Sequence, residues 1–141
     1  MAVSYNLLGE TLNSSICNKI TNQTTKDSCN IFVDVNKGLV KDMKMCDNVI
    51  DSENKDDCYD IFGIRDHQAC KEIYSQYKKD SCYWHSATFQ LNPDLCNEIF
   101  SIEARDGCYR ETALGLRNVT LCDKVSNENN RNFCYKDIEN S

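Results

Sequence analysis

Ten cysteines are the residues of this chain whose type and spacing could do chemistry: Cys17, Cys29, Cys46, Cys58, Cys70, Cys82, Cys96, Cys108, Cys122 and Cys134. Successive members lie 12, 17, 12, 12, 12, 14, 12, 14 and 12 residues apart. Thiolates bind zinc, but such sites show as Cys-x2–4-Cys pairs with Cys or His partners, and no such pair occurs here. Thiol-redox proteins usually carry Cys-x-x-Cys, which is also missing. An even number at regular spacing reads instead as a disulfide framework formed in an oxidising compartment. No metal, no cofactor and no catalytic residue is therefore expected.

The remaining chemical groups are sparse. The two histidines, His67 and His85, belong to no ligand spacing and no nucleophile motif. There is no glycine-rich phosphate loop, and the 22 acids are scattered. One aromatic concentration stands out: Tyr74, Tyr77, Trp84, His85 and Phe89. It is the candidate binding surface, set against the plainer reading that these side chains fill a local core. Asn13, Asn22 and Asn118 each open an Asn-x-Ser/Thr sequon and are candidate glycosylation sites.

The elements that position the cysteines repeat. Four residues before each odd-numbered cysteine stand Asn13, Asp42, Asp66, Asn92 and Asn118, all good helix N-caps. Pro93 then occupies a first helical position, where its missing N–H is harmless. Apolar residues at one before and three after that cysteine, such as Leu95 and Ile99, give one face of a short helix of about two turns. Seven residues before each even-numbered cysteine come Asn22, Asp51, Ser75, Ser101 and Asn127, a second set of caps for a longer helix. That helix carries Lys or Arg three before its cysteine, Asp two before it (Asn132 in the last unit) and Tyr one after it (Asn30 in the first). Each cation is expected to stack on its tyrosine at i, i+4. Each Asp is expected to complement the start of its own helix. Gly38, Gly63 and Gly115 read as left-handed C-caps.

The cap-to-cap period is 29, 24, 26 and 26 residues. Periods of this size mean stacked units that cannot bury their faces alone. The expected fold is all-α: a right-handed-type solenoid of five short helical hairpins, in one repeat domain spanning 1–141. The repeats fall at about 13–41, 42–65, 66–91, 92–117 and 118–141. The constant gap pairs Cys17–Cys29, Cys46–Cys58, Cys70–Cys82, Cys96–Cys108 and Cys122–Cys134. Cys58 and Cys70 are also twelve apart, and the caps Asp42 and Asp51 decide that case for Cys46–Cys58. Each closure of about 13 residues contributes roughly 3 kcal/mol in the chain-entropy model.

Bulk properties agree. The 141 residues carry a net charge of −6 and only one tryptophan, and the mean hydropathy is −0.59. That charge is the wrong sign for a nucleic-acid footprint. No apolar run is long enough for a transmembrane segment. The first residues lack the basic region and apolar stretch of a signal peptide. Residues 1–12 read as a partial N-terminal helix or cap, with any signal or anchor of a longer protein removed.

The pattern Asn92-Pro93-x-Leu95-Cys96-x-x-Ile99, followed by Arg105-Asp106-x-Cys108-Tyr109, resembles a helical repeat of secreted or surface-anchored archaeal proteins whose function is undefined. The resemblance covers Asn13 to about Ile138 and is strongest in units two to four. It implies an extracytoplasmic α-hairpin array and no enzymatic activity. The likeness to Sel1-like and tetratricopeptide repeats is architectural only. The expected function is an extracellular structural or interaction module for a protein or glycan partner. The alternatives are a carrier of a small apolar ligand between the helices and, further off, a thiol-redox protein or enzyme.

Overall fold

The computed structural model describes residues 14–36 and 42–141. The expected N-terminal cap at 1–12, Asn13 and Gly38 lie outside the described residues. Everything described is helix, turn or short link, with no strand among the described residues. The chain divides into two compact units, 1–41 and 42–141.

In the first unit, α1 (Ser14–Cys17) leads to α2 (Gln23–Asn36), and Cys17–Cys29 joins them. Asn22 caps α2 by accepting the Thr25 N–H at 3.1 Å.

The second unit holds four hairpins. The long helices are α3 (Ser52–Gly63), α4 (Gln76–Gln90), α5 (Ile102–Leu116) and α6 (Glu128–Glu139). Each follows a short helix: Met43–Asn48, His67–Glu72, Pro93–Glu98 and Val119–Lys124. These short helices are 3-10, not the two-turn α-helices expected, and the reason lies at their ends. Each N-cap carboxylate or amide accepts from the residue two ahead, as Asp42 does from Lys44 at 2.9 Å. Each C-cap is a β-branched residue (Val49, Ile73, Ile99 or Val125) in extended conformation, with its N–H returned three residues to the cysteine carbonyl. A six-residue helix closed this tightly favours i→i+3 bonding.

All ten cysteines are paired as the spacing predicts, with Cα–Cα separations of 5.6 to 5.7 Å. The long helices start at Asp51, Ser75, Ser101 and Asn127, and all of these except Ser75 cap through the side chain.

The glycine expectation fails. Gly63 closes α3 and Gly115 lies within α5. The left-handed caps are Leu91 and Arg117, both at φ 51°. Gly63 serves packing instead: a Cβ there would stand 2.1 Å from Cys82 Sγ and 2.8 Å from Cys70 Sγ. The next hairpin's disulfide therefore lies directly on α3. Ala87 and Ala113 hold the same position in the following hairpins, fully buried. Ala113 clusters with Cys122 and Cys134. A Cβ at Gly115 would stand 2.8 Å from the Leu91 side chain, which packs there from the preceding hairpin.

α3, α4 and α5 thus each lie against both the short and the long helix of the next hairpin. The core is the row of disulfides flanked by Ile73, Ile99 and Val125, each at most 1% exposed.

Candidate functional site

In hairpins two, three and four the Asp two before the second cysteine does not serve its own helix start. It reaches into the next hairpin. Asp56 accepts the backbone N–H of Tyr74 (2.8 Å) and Ser75 (2.9 Å). Asp80 does the same for Phe100 and Ser101, both at 2.9 Å. Asp106 does so for Ser126 (2.8 Å) and Asn127 (2.9 Å). The three carboxylates are almost completely buried. Each fills the orphan donors at the start of the following long helix, where a negative charge is also favoured by the dipole. Repeat five carries Asn132 at this position, and Glu139 where Gly63, Ala87 and Ala113 stand, both exposed.

This clamp has a side effect on the surface. In hairpins three and four the residue whose N–H is held follows a buried one, Ile73 or Ile99, in an extended link, and its side chain turns outward. Ile50 is 101% exposed, Tyr74 91% and Phe100 76%. They occupy one register position in hairpins two, three and four. Of this row the sequence reading found Tyr74 alone; the signal was the fourth residue after each odd cysteine.

The five candidate residues do not form one site. Tyr77, Trp84 and His85 line a surface cleft of about 380 Å³ with Asp80, Ser101 and Glu111. Tyr74 and Phe89 do not line it, although both are exposed. Tyr77 is exposed too, so the local-core reading fits only Trp84. Its ring lies over Gly107, where a Cβ would meet it at 2.4 Å, and its Nε1–H donates to Glu111 at 2.8 Å. His85 Nδ1 stands 3.9 Å from Asp60 Oδ1, which is buried without another partner. The Asp60 carboxylate within reach raises His85 above its ordinary value; burial opposes this, and the charges of Asp60 and Glu111 add to it. These pairs belong to a ladder between successive long helices, with Lys78–Asp57 at 2.5 Å and Arg110–Asp137 at 2.7 Å. His67 lies beside the Gln68 amide, 2.8 Å away.

The expected i, i+4 stacking of cation on tyrosine is replaced. Arg105 donates to the Ile99 and Phe100 carbonyls, Arg131 to those of Val125 and Ser126, and Lys55 to that of Asp47. The charge is better used on orphan carbonyls of the link than over a ring. One cation–ring contact occurs between hairpins, Lys124 over Tyr109 at 5.5 Å. The tyrosines close the hairpin beside the disulfide. Tyr59 donates to Asp47 at 2.5 Å, Tyr109 to Asn97 at 2.5 Å, and Tyr135 to Asp123. Burial first, then the bond to Asp47, push Tyr59 up to about 12.

A second cleft, also about 380 Å³, lies between hairpins three and four and is lined by Lys71, Lys79, Tyr83, Asn97, Phe100 and Arg105 among others. Lys79, Tyr83 and Arg105 belong to the repeated cation and tyrosine positions of the sequence; Lys71, Asn97 and Phe100 carry no such signal.

Of the sequon asparagines, Asn22 and Asn118 are exposed. Asn118 Oδ1 accepts from the Thr120 N–H and hydroxyl at 3.1 and 2.8 Å, which leaves its amide nitrogen outward. Among the described residues no cluster of His, Cys, Asp and Glu could hold a metal. No described helix is long and apolar enough to cross a membrane. Five disulfides point to an oxidising, non-cytosolic compartment. No known family model matches this chain, nor does any curated protein or solved structure.

Proposed function

We propose that this chain is a secreted or cell-surface interaction module, without enzymatic activity, that presents one face of a disulfide-stapled hairpin array to a protein or glycan partner. The observation that carries this reading is the outward row Ile50, Tyr74 and Phe100, with Tyr77 beside it. Tyr74 and Phe100 are held by buried carboxylates on their backbone with their rings outward, and aromatic residues are enriched at interfaces. The likeness to secreted or surface-anchored archaeal repeats belongs to the same proposal. N-glycans on Asn22 and Asn118 fit it as well, and peptide mapping of native material before and after deglycosylation tests for them. The apolar-carrier alternative finds no enclosed apolar channel among the described clefts: both are open to the surface, and charged or polar side chains such as Asp80, Glu111, Lys71 and Arg105 stand in their linings.

Cross-linking at the native cell surface tests the proposal. The wild-type chain is expected to capture a defined partner. A variant with Ile50, Tyr74 and Tyr77 all changed to Ser is expected to lose it while keeping its circular dichroism. Equal capture by both chains, or capture by neither, would overturn the assignment.

A further inference from the structure

We propose that the cleft between the third and fourth hairpins binds a carboxylated saccharide of the uronic-acid type, held by Lys71, Lys79, Arg105 and the hydroxyl of Tyr83. This rests on the interaction-module reading and names a ligand class for it.

The argument begins with a break in the repeat. In hairpins two, four and five the tyrosine after the even cysteine donates to the residue after the odd one: Asp47, Asn97 and Asp123. In hairpin three that residue is Lys71, the one cation at this position in the chain. A lysine offers donors and no acceptor. Among the described residues nothing accepts from the Tyr83 hydroxyl, although Tyr83 is only 3% exposed. Burial and the Glu98 charge raise Tyr83, so it stays a protonated donor. Tyr83 and Lys71 both line the cleft. The break therefore removes an internal acceptor and adds a positive charge at the same point. An external oxyanion restores both.

The rest of the lining fits that anion. Lys79 and Arg105 add two charges against one acid, Glu98. Arg105 is fixed by its bonds to the Ile99 and Phe100 carbonyls, which keep the guanidinium oriented. The Asn97 carbonyl takes the Tyr109 hydroxyl, so its amide N–H groups remain as donors. The nearby Asp80 carboxylate is fully engaged by Phe100, Ser101 and Gln76. Phe100 supplies an exposed ring at the lip, a platform for the C–H face of a sugar. A cleft of about 380 Å³ sits at the small end of the range for small-molecule sites. An acidic peptide fits less well. Peptides dock by adding a strand or laying a helix in an apolar groove; the described residues contain no strand edge, and this cleft is mainly polar.

The test is a titration of the full oxidised chain, read by two-dimensional amide NMR, with a glucuronic acid trisaccharide. A neutral glucose trisaccharide and a triglutamate peptide run beside it. The uronate is expected to shift the amides of Lys71, Tyr83, Phe100 and Arg105, and the neutral sugar is not. Lys71→Asp installs the residue of hairpins two and five, so the fold is kept and Tyr83 regains an internal acceptor. It is expected to weaken uronate binding at least about tenfold. Tyr83→Phe is expected to weaken it roughly three- to tenfold. Absence of shifts at these residues, or undiminished binding by Lys71→Asp, would overturn the proposal. So would tighter binding of triglutamate at the same amides, which would assign the cleft to acidic peptide. A silent cleft in a chain that still loses its partner on the Ile50, Tyr74 and Tyr77 changes overturns this inference and leaves the interaction module standing.

Discussion

Asp106 Oδ2 accepts the backbone N–H of Asn127 at 2.9 Å, across a boundary between two hairpins. Asn127 is itself the N-cap of α6, accepting from the Asn130 N–H at 3.0 Å. One helix start is thus capped twice, once by its own side chain and once by the preceding repeat. The second cap couples neighbours that share no covalent cross-link.

Asp106→Ala removes a buried acceptor from two N–H groups. Hydrogen bonds to a charged group are each worth more than neutral ones, so a loss of about 2–4 kcal/mol is expected. Stability in a stacked repeat is roughly a sum of unit and neighbour terms. Amide hydrogen exchange should therefore accelerate across 118–139 while α4 keeps its protection. Uniform acceleration along the chain would contradict this.

Gly63→Ala places a methyl group 2.1 Å from Cys82 Sγ. A disulfide cannot swing away like a flexible side chain, so the helix must shift. Overpacking of this kind costs about 1–3 kcal/mol. Thermal unfolding should show it as a lower Tm. The opposite change, Ala113→Gly, relieves nothing and is expected to cost about 1 kcal/mol through helix propensity.

His85 gives a pH signature. Its folded value is raised, chiefly by Asp60. A raised value means the charged form is favoured in the folded state. The contribution is fully present below the unfolded value near 6.5 and is lost as pH rises through the folded one. Because the imidazole is more than half exposed, the effect is screened and amounts to a few tenths of a kcal/mol. Urea midpoints at pH 5.5 and 8 should differ slightly in this sense, and the His85 part of the difference should vanish in Asp60→Asn.

Reduction is expected to unfold the chain. The short helices have six residues each, well below the length at which isolated helices persist. The core is largely the disulfides themselves, so breaking them removes both the cross-links and the packing surface. Helical circular dichroism that survives in a reduced, alkylated sample would contradict this.

The cysteine pairing, the caps and the hairpin outline were legible in the sequence because each depends on partners close along the chain. Cap chemistry acts over two or three residues, and Cys96 finds Cys108 twelve residues on. The short helices were misread as α-helical because two apolar positions four apart suit either an α-turn or a 3-10 turn ending in an extended residue. Asp56, Asp80 and Asp106 looked like helix-start charges because their true partners lie 18 to 21 residues away in the next hairpin. Gly63 looked like a cap because a helix end and a close approach both call for the smallest residue.

What the sequence determined by itself was the unit: the hairpins, their staples, and the capping residues, of which Ser75 alone among those described caps without a side-chain bond. What only the tertiary structure decided was how the hairpins of 42–141 meet: carboxylate on backbone, disulfide on Gly63, Trp84 on Gly107, and Tyr83 and Lys71 brought into one cleft. Stacking register is set by contacts between repeats, and no spacing within a repeat encodes it.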